Sequence, residues 1–265
     1  MQGCVVQINN VMKKSLRWLI GRAGYEFIRR DDVPFGYDVM WDIKRLSRMW
    51  NYTTDIFFDV GANIGQTTAR ALRELPKARV FAFEPHPHTF ASLKKAIGEV
   101  ENFKPFNLGF GITIGEVDLY EYDISVLNSM IQNAPFAVHY QKDGKRIQVK
   151  STTIDRFCLE QNLPNIDVLK IDTEGFDLVV LEGSKNMLLG QKIKFIYTEF
   201  NDIHPKSGTT GGSLSVIDNF LHPYGYRFIA SYTDWIDKDG EFFLVCNALF
   251  VLPPHARESS TVPPH

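Results

Sequence analysis

The sequence predicts an α/β protein built on a doubly wound, mostly parallel sheet, and three observations predict it. First, Asp55-Ile56-Phe57-Phe58-Asp59-Val60-Gly61-Ala62-Asn63-Ile64-Gly65 reads as a buried strand, a tight glycine turn and the start of a helix. Second, strand-length apolar runs alternate with helix-length amphipathic segments from there onward. Third, several of these runs end in an acid beside a turn signal: Glu84-Pro85, Asp172 with Glu174-Gly175, and Glu199.

In chain order, residues 1–51 read as a helical leader. Val11, Leu16, Trp18, Leu19 and Ile20, with Lys13, Lys14 and Arg17, suit an amphipathic helix packed on the domain, the alternative being a helix for a membrane surface or a partner. Trp41, Ile43, Leu46, Met49 and Trp50 recur at helical spacing and are expected to cover one side of the sheet; such a leader can lid a cofactor site. Residues 52–252 form the main domain. After the first strand, a helix from Gln66 ends before Pro76, and Arg79 to Glu84 is a second strand stopped by Pro85 and Pro87. Leu93, Ala96, Ile97 and Val100 form the expected buried face of the next helix. Phe103 to Leu108 reads as a third strand, and short strands follow at Phe110 to Ile114 and Val117 to Tyr122. Asp123 to Gly144 has no clear period and is the expected irregular segment. Ile147 to Lys150 suggests a strand and Ile154 to Leu159 a short helix. Asp167 to Asp172 is a buried strand, Leu178 to Leu189 one amphipathic helix, and Lys194 to Phe200 another strand. Leu214 to Leu221 is helical, and Tyr226 to Ile229 with Asn247 to Leu252 closes the sheet. Residues 253–265 are Pro/Ser-rich and expected to be a disordered tail.

The 265 residues are 44% hydrophobic, enough for a sizeable core. A formal net charge of −2, with no dense Lys/Arg run, argues against nucleic acid as a partner. No apolar run is long enough to span a bilayer, and the start lacks a signal-peptide core. Three widely separated cysteines, Cys4, Cys158 and Cys246, fit neither a zinc spacing nor a disulfide framework, so a reducing, cytoplasmic compartment is expected.

Ligands of a doubly wound sheet bind beyond the carboxyl ends of its strands, where the acids and the glycine turn fall. Glu84 lies about twenty residues after that turn, where an acid accepts hydrogen bonds from ribose hydroxyls. The alternative is an acid at the start of the following helix. A dinucleotide site asks for G-x-G-x-x-G, and position 63 is asparagine, so a nicotinamide-dependent oxidoreductase is disfavoured. Asn63 suits an amino-acid moiety better than pyrophosphate. Asp59 either meets an ammonium group or is a buried acid capping the turn.

These stretches resemble a known family. Asp59-Val60-Gly61-Ala62-Asn63-Ile64-Gly65, Phe83-Glu84-Pro85 and Leu169-Lys170-Ile171-Asp172-Thr173-Glu174-Gly175-Phe176-Asp177 look like the signatures of FkbM-type S-adenosylmethionine-dependent methyltransferases, in order, over about Asp55 to Leu252. The resemblance implies the class I methyltransferase (Rossmann-like) fold, with a seven-stranded, mostly parallel sheet. It implies S-adenosylmethionine as cofactor and O-methylation of a small molecule, sugar or glycan. Carried over, Asp59, Gly61, Asn63 and Gly65 hold the methionine part and Glu84 the ribose, while Asn107, Leu108 and the Asn128-Ser129 region lie near the cofactor. Asp172 and Glu174 lie near the transferred methyl.

An alcohol must lose its proton during attack, so a carboxylate or imidazole within reach is expected. Asp172, Glu174, Glu199 and His204 are the candidates, with Asp172 or His204 as base. Asp172, Glu199 and His204 can also be read as a magnesium or manganese site. Lys170 is expected to pair with a neighbouring acid and is given no catalytic role. Phe136, Tyr140 and Phe200 suit either stacking on a sugar ring or packing. A non-catalytic binding module is the remaining alternative, and the intact turn and Glu84 speak against it.

Overall fold

The computed structural model describes residues 32–123, 125, 128–131, 144–200, 202, 212–236 and 244–254, together with Trp18 and Arg22. Most of the leader, His204, Phe136, Tyr140 and residues 255–265 lie outside the described residues.

The sheet forms around two strands that are buried on both faces. β1 (Ile56–Val60) and β7 (Ile166–Ile171) are buried at every position and lie side by side in parallel register. Beyond β1 come β2 (Arg79–Phe83) and β3 (Phe103–Phe106); beyond β7 come β8 (Ile193–Phe200), β10 (Leu244–Val251) and β9 (Arg227–Ile236). The order is therefore β3-β2-β1-β7-β8-β10-β9, seven strands, with β10 antiparallel to both neighbours. The chain reverses its direction of travel between β1 and β7, so the topological switch point lies there. A separate three-stranded sheet, β4 (Gly109–Phe110), β6 (Lys145–Thr152) and β5 (Gly115–Glu121), follows the β3 edge.

Strand alternation sorts the core into two faces. Phe57, Val80, Val168, Phe195 and Leu249 point to one side, where α1 (Val39–Trp50) lays down Val39, Met40, Ile43 and Leu46. Phe58, Phe83, Leu169 and Ile196 point to the other, against α4 (Ile154–Glu160) and α5 (Asp177–Glu182). There Phe83 packs edge-on to Phe110 and Phe157 at centroid separations of 4.6 and 4.9 Å. Phe200 belongs to this packed core, which is the packing reading of that residue.

The leader helix is tied down by polar contacts as well. Asp38 caps α1 through the amide of Trp41 and accepts from Nη2 of Arg70 in α2 (Gln66–Glu74) on both carboxylate oxygens, each at 2.6 Å. Asp42, also buried, accepts from Tyr232 of β9 at 2.6 Å. At the amino ends of the strands, buried Asp167 accepts from the amides of Asp55 and Ile56 and pairs with Lys194 at 2.7 Å, clamping β1, β7 and β8.

Several expected elements change. The helix expected over Leu178 to Leu189 is two helices, α5 and α6 (Lys185–Leu189), broken at Gly183-Ser184. Asp155 accepts from the amides of Asn186 and Met187 at 2.8 and 2.9 Å, which starts a new helix. A Cβ on Gly183 would stand 2.2 Å from the carbonyl oxygen of Gly111, so the break also brings two backbones together. In α3 (Pro87–Ile97) Leu93 is buried, but Ala96 is exposed and Val100 lies beyond the helix, 40% exposed. The late strands run longer than their apolar runs because they pair with each other along most of their length.

Candidate active site

Above the carboxyl ends of β1, β2 and β7 lies a cavity of about 450 Å³. Its walls include Gly61 and Asn63 of the first turn, Gln66 at the start of α2, Glu84 after β2, Leu108 before β4 and Gly109 within it, and Asp172 to Glu174 after β7. Ser125, Asn128 and Met130 close it from the β5 side.

The glycine turn fits the backbone against β7. Gly61 has φ +73°, and a Cβ there would stand 1.8 Å from the carbonyl oxygen of Asp172. No other residue passes that point without moving β7. Gly65, at φ +97°, precedes α2 and packs toward Leu93 rather than lining the cavity.

Glu84 is 6% exposed and both carboxylate oxygens are held: the amide of Asn63 donates to one at 3.0 Å and that of His86 to the other at 2.9 Å. Burial pushes its carboxyl up to about 7, against those two amides. Asn63 (φ +47°) thus spends its amide on Glu84, and Ser125 donates to its side-chain carbonyl at 3.2 Å. Asn107 stands off the cavity, donating to the carbonyls of Glu84 and Pro85, both at 2.8 Å. It shapes the Glu84 turn from behind, while its neighbour Leu108 lines the wall. His86 caps α3 and places Nε2 3.0 Å from Glu121 of β5.

Asp59 does not reach the cavity wall. It is fully buried, accepts from Thr68 at 2.6 Å and sits 3.0 Å from the ammonium of Lys170. Lys170 also donates to the carbonyl of Gly61 at 3.0 Å and lies 3.4 Å from Asp172. Burial alone would lower its pKa; Asp59 and Asp172 outweigh that and hold it raised and charged. A lysine in a buried strand, two residues before an acid, is the sequence signal that it belongs here: a buried charge needs a partner.

Acids gather at the ends of β7 and β8. Asp172 and Glu174 line the cavity, and Glu199 approaches from β8, with one oxygen of each within 4.8 Å of the others. Glu174 takes a positive φ, +53°, and its carbonyl accepts from Ser129 at 3.0 Å. Burial raises the Glu174 carboxyl well above the usual range, helped by Asp172 and Asp177; burial raises Glu199 likewise, helped by Glu174, Asp172 and Asp177. Asp177, buried behind them, accepts from Thr173 and Thr198, both at 3.1 Å, and burial with Asp172 nearby pushes it up to about 6. Gln66, Thr67 and Met130 on the wall, and Asp177 behind it, were not singled out from the sequence. Among the described residues Glu174 completes the acidic group with Asp172 and Glu199; His204 lies outside them.

The sheet order, with one antiparallel strand next to the edge and the cleft at the switch point, defines a class I methyltransferase fold. Residues 59–228 match the methyltransferase FkbM domain, and the chain belongs to that family. It is 28% identical over 156 residues to 2-O-methyltransferase NoeI of Sinorhizobium fredii, covering 56% of this chain and 63% of that protein. It is 33% identical over 173 residues to hexuronic acid methyltransferase AglP of Haloferax volcanii, covering 63% and 65%. With Methyltransferase 1 of Beauveria bassiana it shares 30% identity over 203 residues, 71% of this chain and 78% of the other. The match spans less than two thirds of the length of the first two relatives. No helix among the described residues is long and apolar enough to cross a membrane.

Proposed function

We propose that this protein transfers the methyl group of S-adenosylmethionine to a hydroxyl of a small molecule, sugar or glycan. The observation that carries the reading is Glu84: a carboxylate held by two backbone amides on the wall of a 450 Å³ cavity, over the glycine turn of β1. That volume suits a nucleoside-sized ligand. Bound there, S-adenosylmethionine would supply an electrophilic methyl carbon for in-line attack by an alcohol oxygen, with S-adenosylhomocysteine as the leaving group and the alcohol's proton going to a base.

The residues' roles follow from their places. Glu84 accepts from the ribose hydroxyls, and Gly61 and Asn63 face the amino-acid part. Asp59 and Lys170 lock the turn to β7, Asp59 from behind the cavity and Lys170 from its wall. Asp172, half-exposed on the wall, is the general base favoured by position. Holding the acceptor in line supplies most of the acceleration, roughly 7–11 kcal/mol in favourable cases. A dinucleotide reading gains nothing from the geometry, since the Asn63 amide is spent on Glu84 and not turned to a pyrophosphate.

The printed names of two relatives point to sugar acceptors. Net charge −2 favours such acceptors over nucleic acid, and the buried Cys158 and Cys246, neither in a disulfide among the described residues, suit a cytoplasmic setting. The test is transfer of labelled methyl from S-adenosylmethionine to a panel of uronic acids, deoxysugars and oligosaccharides. Label in a sugar ether supports the reading; label only in tRNA or protein, offered in parallel, overturns the acceptor class.

A further inference from the structure

We propose that Asp172, Glu174 and Glu199 form a site for a divalent cation of the magnesium or manganese class, and that this cation holds oxygens of the methyl acceptor. The cation site stands on its own geometry; its service to the acceptor rests on the methyltransferase reading above.

Spacing comes first. One oxygen from each carboxylate lies within 4.8 Å of the others. Oxygens bound to one hard cation at roughly 2.0–2.6 Å are at most about 5 Å apart, so the three reach a common centre without rearrangement. A second, independent observation is the state of Glu199. The residue is 6% exposed, and its Oε2 is buried with no hydrogen-bond partner among the described residues. A buried carboxylate oxygen without a donor is costly, and a cation at the centre of the three acids supplies what it lacks.

Charge gives the same answer. Asp172, Glu174, Asp177 and Glu199 cluster at the ends of two neighbouring strands, and the cation they face, Lys170, is already shared with Asp59. Asp177 is taken up by Thr173 and Thr198, which leaves it behind the site rather than in it. The backbone presents the ligands as well: Glu174 is turned by its positive φ, and Ser129 holds its carbonyl. Because β8 lies on the far side of β7 from β1 and β2, the site flanks the cofactor cavity on the side away from Glu84. A hard cation there keeps coordination positions for two neighbouring acceptor oxygens, such as a diol or a carboxylate with its adjacent hydroxyl.

The experiment is manganese titration of the metal-stripped full chain, read by loss of the free-ion paramagnetic resonance signal, with magnesium as competitor. The wild type is expected to bind about one ion per chain with Kd below about 1 mM, and Glu199→Gln and Glu174→Gln each to weaken binding by about tenfold or more. The two isosteric variants guard against misfolding of either one. Absence of manganese binding by the wild type, or binding unchanged in both variants, overturns the site. S-adenosylhomocysteine is titrated into the same metal-stripped protein. Its binding without manganese binding removes only the cation site; manganese binding without it upholds the cation site and removes the cofactor reading.

Discussion

Glu84 and Gly61 are the residues on which cofactor binding turns. The Glu84 carboxyl is pushed up to about 7 by burial, so near neutrality it is divided between acid and carboxylate. A carboxylate accepts from ribose hydroxyls more strongly than an acid does. The folded, unliganded pKa is the raised one, so affinity for S-adenosylhomocysteine should be full above about pH 7 and fall as pH drops below it, approaching about tenfold per unit. Titrations from about pH 5.5 to 8.5 check this; Glu84→Gln should flatten the profile, and an unchanged slope would show that another group titrates. Gly61→Ala combines a positive φ with a Cβ 1.8 Å from the Asp172 carbonyl. It should cost at least about 2 kcal/mol in urea unfolding and weaken cofactor binding, because β7 must move. These residues were legible from the sequence, since turn chemistry is local. Asp59 was only half legible: its acidity was visible, but the lysine that neutralises it comes from a strand 111 positions later.

At the scale of elements, two joints carry the site. The Lys170–Asp59 pair stitches β7 to β1 beneath the turn, with side chains 4% and 0% exposed. Lys170→Met leaves Asp59 buried and unpaired and should destabilise the fold by about 3–5 kcal/mol. Combining it with Asp59→Asn should recover a large part of that loss, as read by chemical denaturation of the four proteins of the cycle. If the single variant loses less than about 1 kcal/mol, the pair is not what holds the joint. The second joint is the α5–α6 break. Asp155 caps α6 from a distant helix, so Asp155→Ala should cost about 1 kcal/mol, measured in the same way. Periodicity could not reveal this break, because both helices keep their apolar residues on one continuous face. The exposure of Val100 has the related cause that α3 stops at Gly98, before the apolar pattern does.

For the whole molecule, strand–helix alternation made the parallel sheet readable, because βαβ units impose it. What stayed hidden was non-local. The antiparallel insertion of β10 between β8 and β9, and the separate β4-β6-β5 sheet that brings Ser125, Asn128 and Met130 over the cavity, depend on pairings no local pattern encodes. The convergence of Asp172, Glu174 and Glu199 is of the same kind, since it joins the ends of two strands. The most direct test of the account is calorimetric titration of the full chain with S-adenosylhomocysteine, with NAD as control and Glu84→Ala alongside. The account predicts binding of S-adenosylhomocysteine to the wild type, loss of at least about tenfold in the variant, and no heat from NAD. Binding of NAD in its place, or full affinity in Glu84→Ala, would contradict it.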